Sequence, residues 1–142
     1  MTTSSQPETQ RLFIGVQLPP DALAALSQVI HGLRASALHG MSLVAAKNIH
    51  LTFKFLGNVD TDQIPGLTSA LDTLASQSTS FTVELGDVGG YPNLKRTRVL
   101  LVGLAGDQNP LDALVSLVED ACESIGFDRE TRPFSPHLTV AR

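Results

Sequence analysis

The three residues His-Leu-Thr occur twice in this chain of 142 residues, at His50–Thr52 and at His137–Thr139. Each copy lies at the same place in a longer pattern, which predicts a strand, then a helix, then a second strand that contains the His-Leu-Thr motif. His50 follows Leu12 by 38 residues, and His137 follows Val99 by the same 38. This matched spacing indicates an internal duplication, and hence two halves related by an approximate twofold axis.

Apolar periodicity and turn residues predict the elements of both halves. Strands are predicted at 11–18, 48–57, 81–88, 97–104 and the end of the chain. One helix is predicted to begin at Asp21, a second at Ile64, and a third covers 110–125. A turn is predicted at 89–96. The pattern predicts an α+β fold with two pseudo-symmetric lobes, in which antiparallel sheets line a central cleft and helices cover the outer faces. Residues 1–10 are predicted to be a flexible N-terminal tail, and residues 11–142 a single two-lobed domain.

Composition limits the class of protein. Hydrophobic residues make up 42% of the chain and charged residues 17%, and no apolar run approaches the roughly 18 residues of a membrane span. Because Cys122 is the single cysteine and the first residues lack a secretion signal, we expect a cytoplasmic protein with a buried Cys122. The net charge of −4 argues against a broad contact with duplex nucleic acid, but it leaves a small phosphorylated ligand or an RNA end open.

Alternation along a strand predicts where the motif side chains point. His50, Thr52 and Lys54 are predicted to face the cleft, while Leu51, Phe53 and Phe55 face the core. His137 and Thr139 repeat this arrangement in the second half. A single His-x-Thr sequence is common and carries little information. The probability that a chain of this composition contains it twice by chance is roughly a few per cent. The other histidines, His31 and His39, are predicted to be surface residues.

Two opposed imidazoles suit phosphodiester displacement. A neutral histidine takes a proton from the attacking oxygen while a protonated one supplies a proton to the leaving oxygen. The threonine hydroxyls are placed to donate to the nonbridging phosphate oxygens. A zinc site needs three or four ligands, and each strand offers one histidine, so no metal or other cofactor is expected.

The chain resembles a known family at these residues. The segments RLFIGVQLPP, NIHLTFKFLGNV, GGYPNLKRTRVLLVGL and RPFSPHLTVAR are similar to the 2',3'-cyclic RNA phosphodiesterases, also called 2'-5' RNA ligases, of the two-histidine phosphoesterase superfamily. The resemblance covers residues 11–142. It implies metal-independent hydrolysis of an RNA or nucleotide 2',3'-cyclic phosphate to a 2'-phosphate, with reversible 2'-5' RNA ligation as a side activity.

The resemblance also implies roles for residues. His50 and His137 match the catalytic histidines, and Thr52 and Thr139 match the phosphate-holding threonines. By analogy with related members, His137 activates the water and His50 protonates the departing 3'-oxygen, although the reverse assignment stays open.

Three further residues are candidates for substrate binding. Arg142 matches a phosphate-contacting arginine, but strict alternation places it opposite His137, so this role requires a bulge or a bend. Tyr91 matches an aromatic residue that is placed to stack on a nucleobase or to fill a turn. Lys54 is placed either to attract the phosphate or to be solvated.

Alternatives to this activity stay open. One is a noncatalytic module that binds phosphate or an RNA end, and another is an enzyme for a different small cyclic phosphate or for 2'-5' oligonucleotides. Family members continue past the second motif with strands that complete a lobe, whereas this sequence ends at Arg142. If the lobe is incomplete, we expect self-association.

Overall fold

The computed structural model describes residues 8–35, 41–93 and 96–142, with the backbone alone described at 33–35, 91–93 and 96–97. The order of the elements is β1 (Thr9–Gln17), α1 (Pro20–Ala35), β2 (His50–Asp60), α2 (Ile64–Gln77), β3 (Glu84–Asn93), β4 (Arg96–Ala105), α3 (Asn109–Ser124) and β5 (His137–Ala141). Two short 3-10 helices, Ala46–Asn48 and Thr61–Gln63, lie on either side of β2. None of the helices in these described stretches has the length and apolar character needed to cross a membrane.

The chain divides into two compact units. The first unit holds the residues up to Ile14, Phe53–Phe81 and Asn109–Phe134, and the second holds Gly15–Thr52, Thr82–Gln108 and Ser135–Arg142. The division falls inside β1 and β2, which pair in a two-stranded sheet, so both strands contribute to both units. The interpretation of residues 11–142 as a single domain stays a prediction.

The first unit is built around α2 and α3, which pack against each other. Its buried cluster joins Ile14 of β1, Leu67 of α2, and Val118 and Cys122 of α3. The half-buried apolar residues around it are Phe53, Leu56, Leu71, Leu74 and Phe127. The predicted burial of Cys122 is confirmed, since the side chain is 1% exposed and burial raises the pKa of its thiol.

The second unit contains a three-stranded antiparallel sheet in the order β3, β4, β5. The buried side chains of β4 and β5 are Leu100 and Val102 on β4 and Leu138, Val140 and Ala141 on β5. Each strand with a His-Leu-Thr motif is therefore a neighbour of the leading strand of its own half, β2 beside β1 and β5 beside β4. The predicted α+β class with antiparallel sheets is confirmed.

Several predicted boundaries differ from those of the structure. Strand β3 begins at Glu84 rather than at residue 81 and continues to Asn93, so residues 89–93 belong to a strand rather than to a turn. Gly89 and Gly90 are typical of turns in a sequence, but here they pair with Leu101 and Leu100, which makes them part of the ladder. Strand β1 begins at Thr9, so the last two residues of the predicted tail are in a strand. Residues 1–7 lie outside the described residues.

Candidate active site

The first motif opens β2. His50 and Thr52 are half-buried, and Leu51 between them is 5% exposed, as the alternation predicts. Ile49, directly before the motif, is 3% exposed. Two buried side chains therefore fix the strand, and they leave the imidazole and the hydroxyl on the more open face.

Gly15 of β1 lies against the backbone of this motif. A Cβ atom added at Gly15 would lie 2.5 Å from the carbonyl oxygen of Leu51 and 3.2 Å from Cα of Thr52. The colliding atoms belong to the backbone, so a side chain here would force one of the two strands to move. Gly15 thus allows the close approach of β1 that supports the motif.

The second motif opens β5, opposite β4. His137 pairs with Gly103, Leu138 with Val102 and Thr139 with Leu101. The His137 ring is exposed, Thr139 is half-buried and Leu138 is 0% exposed, so the outward and inward positions match those of the first motif. The Nδ1 atom of His137 lies 2.8 Å from the carbonyl oxygen of Ser135. A carbonyl oxygen only accepts, so this bond requires the proton on Nδ1 and leaves the lone pair of the neutral ring on Nε2.

The pairing of β5 changes register near the end of the strand. Leu101 pairs with Thr139, but the adjacent Leu100 pairs with Ala141, so Val140 is an extra residue on β5. Val140 and Ala141 are both 0% exposed, which breaks the alternation, while the next residue, Arg142, is exposed. This irregularity is a bulge of the kind that a role for Arg142 requires.

A second neighbour holds the other edge of β5. The amide of Val44 donates to the carbonyl of Val140 (2.9 Å), and Ser42 and Arg142 exchange two backbone hydrogen bonds of 2.8 and 3.0 Å. Leu43 forms an isolated antiparallel bridge with Ala141. The segment Ser42–Val44 leads within a few residues to His50, and both motifs belong to the second compact unit. The structure thus gathers the four motif residues in one unit and fixes their strands through the backbone.

The prediction that Lys54 shares the open face of His50 is wrong. Lys54 is 6% exposed, and its ammonium group forms an ion pair with Glu119 of α3 and donates to the carbonyl of Asp128. Phe55, predicted to face the core, is 69% exposed and lies beside Phe13 with ring centroids 6.3 Å apart. Alternation predicts the direction of a side chain but not its exposure, and here Glu119 of α3 gives the lysine a buried partner.

The other candidates are only partly described. The backbone of Tyr91 lies in β3 opposite Val99, but its side chain lies outside the described residues, as does His39. His31 is exposed on α1, in agreement with the prediction of a surface residue. Within the described stretches, no three His, Cys, Asp or Glu side chains are grouped closely enough to hold a metal ion.

Comparison with known families identifies the family of the chain. The family model described as LigT like Phosphoesterase matches residues 16–101 of the chain, which include the first motif. The chain belongs to the LigT-like phosphoesterase family. This agrees with the family resemblance of the sequence.

Two curated relatives in this LigT-like family are named RNA 2',3'-cyclic phosphodiesterase. The Escherichia coli (strain K12) protein is 33% identical over 139 residues, which are 95% of this chain and 73% of that protein. The Geobacillus stearothermophilus protein is 32% identical over 130 residues, which are 92% of this chain. The chain spans 41% of the length of the second relative.

Two solved structures have the same fold as this chain. A crystal structure of a Thermus thermophilus protein superposes with a TM-score of 0.82 at 27% identity, covering 94% of this chain and 74% of that one. The structure of Escherichia coli LigT in complex with 3'-AMP superposes with a TM-score of 0.72 at 28% identity, covering 95% of this chain and 74% of that one.

Sequence reasoning missed two residues of this LigT-like chain, Gly15 against the backbone of the first motif and Glu119 in an ion pair with Lys54. Gly15 interrupts a strand pattern, and an isolated glycine in a strand often marks a close backbone approach. Glu119 stands on the apolar face of α3, between the buried Val115, Val118 and Cys122. A carboxylate at such a position signals a buried partner, since an unpaired charge is expensive to bury.

Proposed function

We propose that this chain hydrolyses the 2',3'-cyclic phosphate of an RNA 3' end or of a nucleoside to a 2'-phosphate, without a metal. The observation that carries the proposal is the duplicated motif, whose two histidines and two threonines belong to one compact unit. The names of the relatives and the 3'-AMP complex of the Escherichia coli protein support the choice of substrate.

In the proposed mechanism, His137 is the general base and His50 the general acid. Nε2 of His137 takes a proton from water, the water oxygen bonds to phosphorus, the bond from phosphorus to the 3'-oxygen breaks, and protonated His50 gives its proton to that oxygen. Each proton transfer typically contributes about 10²- to 10⁴-fold. The bond from Nδ1 of His137 to the Ser135 carbonyl supports this assignment, because it leaves Nε2 as the free base.

The remaining candidates bind the substrate, at its phosphate or at its nucleobase. The hydroxyls of Thr52 and Thr139 donate to the nonbridging oxygens, where negative charge increases in the transition state. The guanidinium of Arg142 binds the same group, and Tyr91 stacks on the nucleobase. If a 5'-hydroxyl replaces water as the attacking group, the same steps join two RNA ends through a 2'-5' bond and release the 3'-hydroxyl.

The test is turnover of a nucleoside 2',3'-cyclic phosphate by purified protein in excess EDTA, with the product identified by ³¹P NMR. We expect a 2'-phosphate product, and a loss of at least about 10²-fold in kcat for His50→Ala and for His137→Ala. The matched control is His31→Ala, which removes an exposed histidine of α1 and should keep the kcat of the unaltered chain.

Other outcomes distinguish the alternatives. Full activity in either motif variant would refute the mechanism. Binding of a 2'-phosphate without turnover of the cyclic substrate would identify a noncatalytic module. Faster turnover of 2'-5' oligonucleotides or of ADP-ribose cyclic phosphate than of a nucleoside 2',3'-cyclic phosphate would identify an enzyme for one of those substrates. A cytoplasmic location, and self-association of the chain, stay predictions.

A further inference from the structure

The ion pair between Lys54 and Glu119 is buried in the first unit and has no place in the proposed chemistry. The side chain of Lys54 is 4% exposed and that of Glu119 is 10% exposed. Burying two charges costs so much solvation free energy that an apolar pair of similar volume is often as stable. Stability alone therefore does not explain this pair, and its other contacts indicate what it does.

Both charged groups also hold backbone atoms of the segment that follows α3. Lys54 donates from Nζ to the carbonyl of Asp128 (2.8 Å), and the second carboxylate oxygen of Glu119 accepts the amide of Glu130 (2.6 Å). An apolar pair would fill the same space but would leave both backbone groups without these bonds. The pair thus fixes residues 128–130 against β2 and α3, within one compact unit.

The ion pair and the backbone groups that it binds lie close to both motifs along the chain. Lys54 follows His50 by four residues on the same strand, and Glu130 precedes His137 by seven. Between Glu130 and His137 the structure has neither a helix nor a strand. The bonds at residues 128 and 130 thus hold the chain at the start of this irregular segment, which ends at the second motif.

We propose that Lys54 and Glu119 are positioning residues, which hold the segment before His137 in the place that catalysis requires. This inference rests on the proposed function. Its physical basis is that a small misplacement of a catalytic group costs about 10²-fold in rate even when the fold is intact.

The decisive variant removes both charges. Lys54→Met with Glu119→Leu leaves no unpaired buried charge, so the midpoint of urea unfolding should stay near that of the unaltered chain. Its kcat should fall by about 10- to 100-fold, because the two backbone bonds are lost. Lys54→Met with Glu119→Gln keeps an acceptor for the Glu130 amide and should recover part of kcat. If the first variant does not fold, the second decides: it still lacks the bond from Lys54 to the Asp128 carbonyl, so its kcat should stay below that of the unaltered chain, and a normal kcat there overturns the proposal.

A matched control uses the exposed ion pair between the same helix and the same segment. Arg129 contacts Asp120 at 2.6 Å, with side chains 38% and 61% exposed. Arg129→Gln with Asp120→Asn should therefore leave kcat within about twofold of its normal value. An equal loss of kcat in this control would overturn the proposal, since any change at the segment would then have the same effect.

Amide hydrogen exchange gives a second readout that does not depend on turnover. In the variant Lys54→Met with Glu119→Leu we expect exchange at least tenfold faster at Glu130 and also at His137. Faster exchange at Glu130 with normal exchange at His137 would overturn the proposal, and so would a normal kcat when this variant folds. Absence of turnover in the unaltered chain would instead refute the proposed function, and exchange at His137 would still decide whether the ion pair positions the motif.

Discussion

The middle residue of each motif is a core side chain, so shortening it should destabilise the protein. Leu51 is 5% exposed and Leu138 is 0% exposed. Leu→Ala removes three carbon atoms, which at about 0.8 kcal/mol each is about 2.4 kcal/mol of transfer free energy. The cavity left behind adds to this, so we expect a loss of about 3 kcal/mol in the free energy of unfolding for each variant.

The assay is urea unfolding followed by circular dichroism at 25 °C. With a slope near 2 kcal/mol/M, a loss of about 3 kcal/mol lowers the midpoint by about 1.5 M. The control is Leu117→Ala on α3, where the side chain is 47% exposed, and there we expect less than about 1 kcal/mol. If Leu51→Ala or Leu138→Ala costs no more than this control, that leucine does not face the core. The opposite placement of its neighbouring histidine and threonine would then be refuted as well.

Three further predictions concern the first unit. Hydrogen bonds from Arg132 lower the pKa of Glu130 from 4.5 to about 2. The ionised Glu130 carboxylate therefore stabilises the fold above pH 4.5, and this contribution is lost as pH falls toward 2. NMR titration should show this pKa, and Arg132→Gln should raise it toward 4.5. Burial raises the pKa of the Cys122 thiol, so a thiol reagent should label the protein only after unfolding in urea, and rapid labelling of the folded protein would contradict this. Gly126 has a φ of 99°, so Gly126→Ala should cost about 1 kcal/mol in urea unfolding, whereas Gly66→Ala, in open space on α2, should stabilise by up to about 1 kcal/mol.

The sequence predicted the features that depend on local pattern. Helices α2 and α3 follow apolar residues at steps of three and four, and the motif leucines are buried as alternation requires. Both signals are local because the side-chain period of a helix or a strand is set by the backbone itself. Family membership followed from the same motifs, since their chemistry restricts which residues can stand there.

The features that the sequence did not predict depend on a partner that is distant along the chain. Lys54 is buried because Glu119 of α3 pairs with it, and nothing next to Lys54 in the sequence reveals that partner. In the same way, Gly89 is part of β3 because β4 extends far enough to pair with it. Residue type alone cannot distinguish a solvated lysine from a paired one, because the cost of burial is decided by the partner.

Arg142 shows how one such tertiary effect bears directly on the candidate site. Alternation alone places it on the face opposite His137, and the residues of β5 before it include no glycine or proline that would signal a bulge. The extra residue on β5 arises from pairing on both edges, with Leu100 and Leu101 on one side and Ser42–Val44 on the other. Val140 and Ala141 are then both buried, so we expect the direction of the next side chain to be reversed. A single register shift therefore decides whether the guanidinium lies on the face of the two catalytic candidates of β5, and only the pairing partners of the strand contain that information.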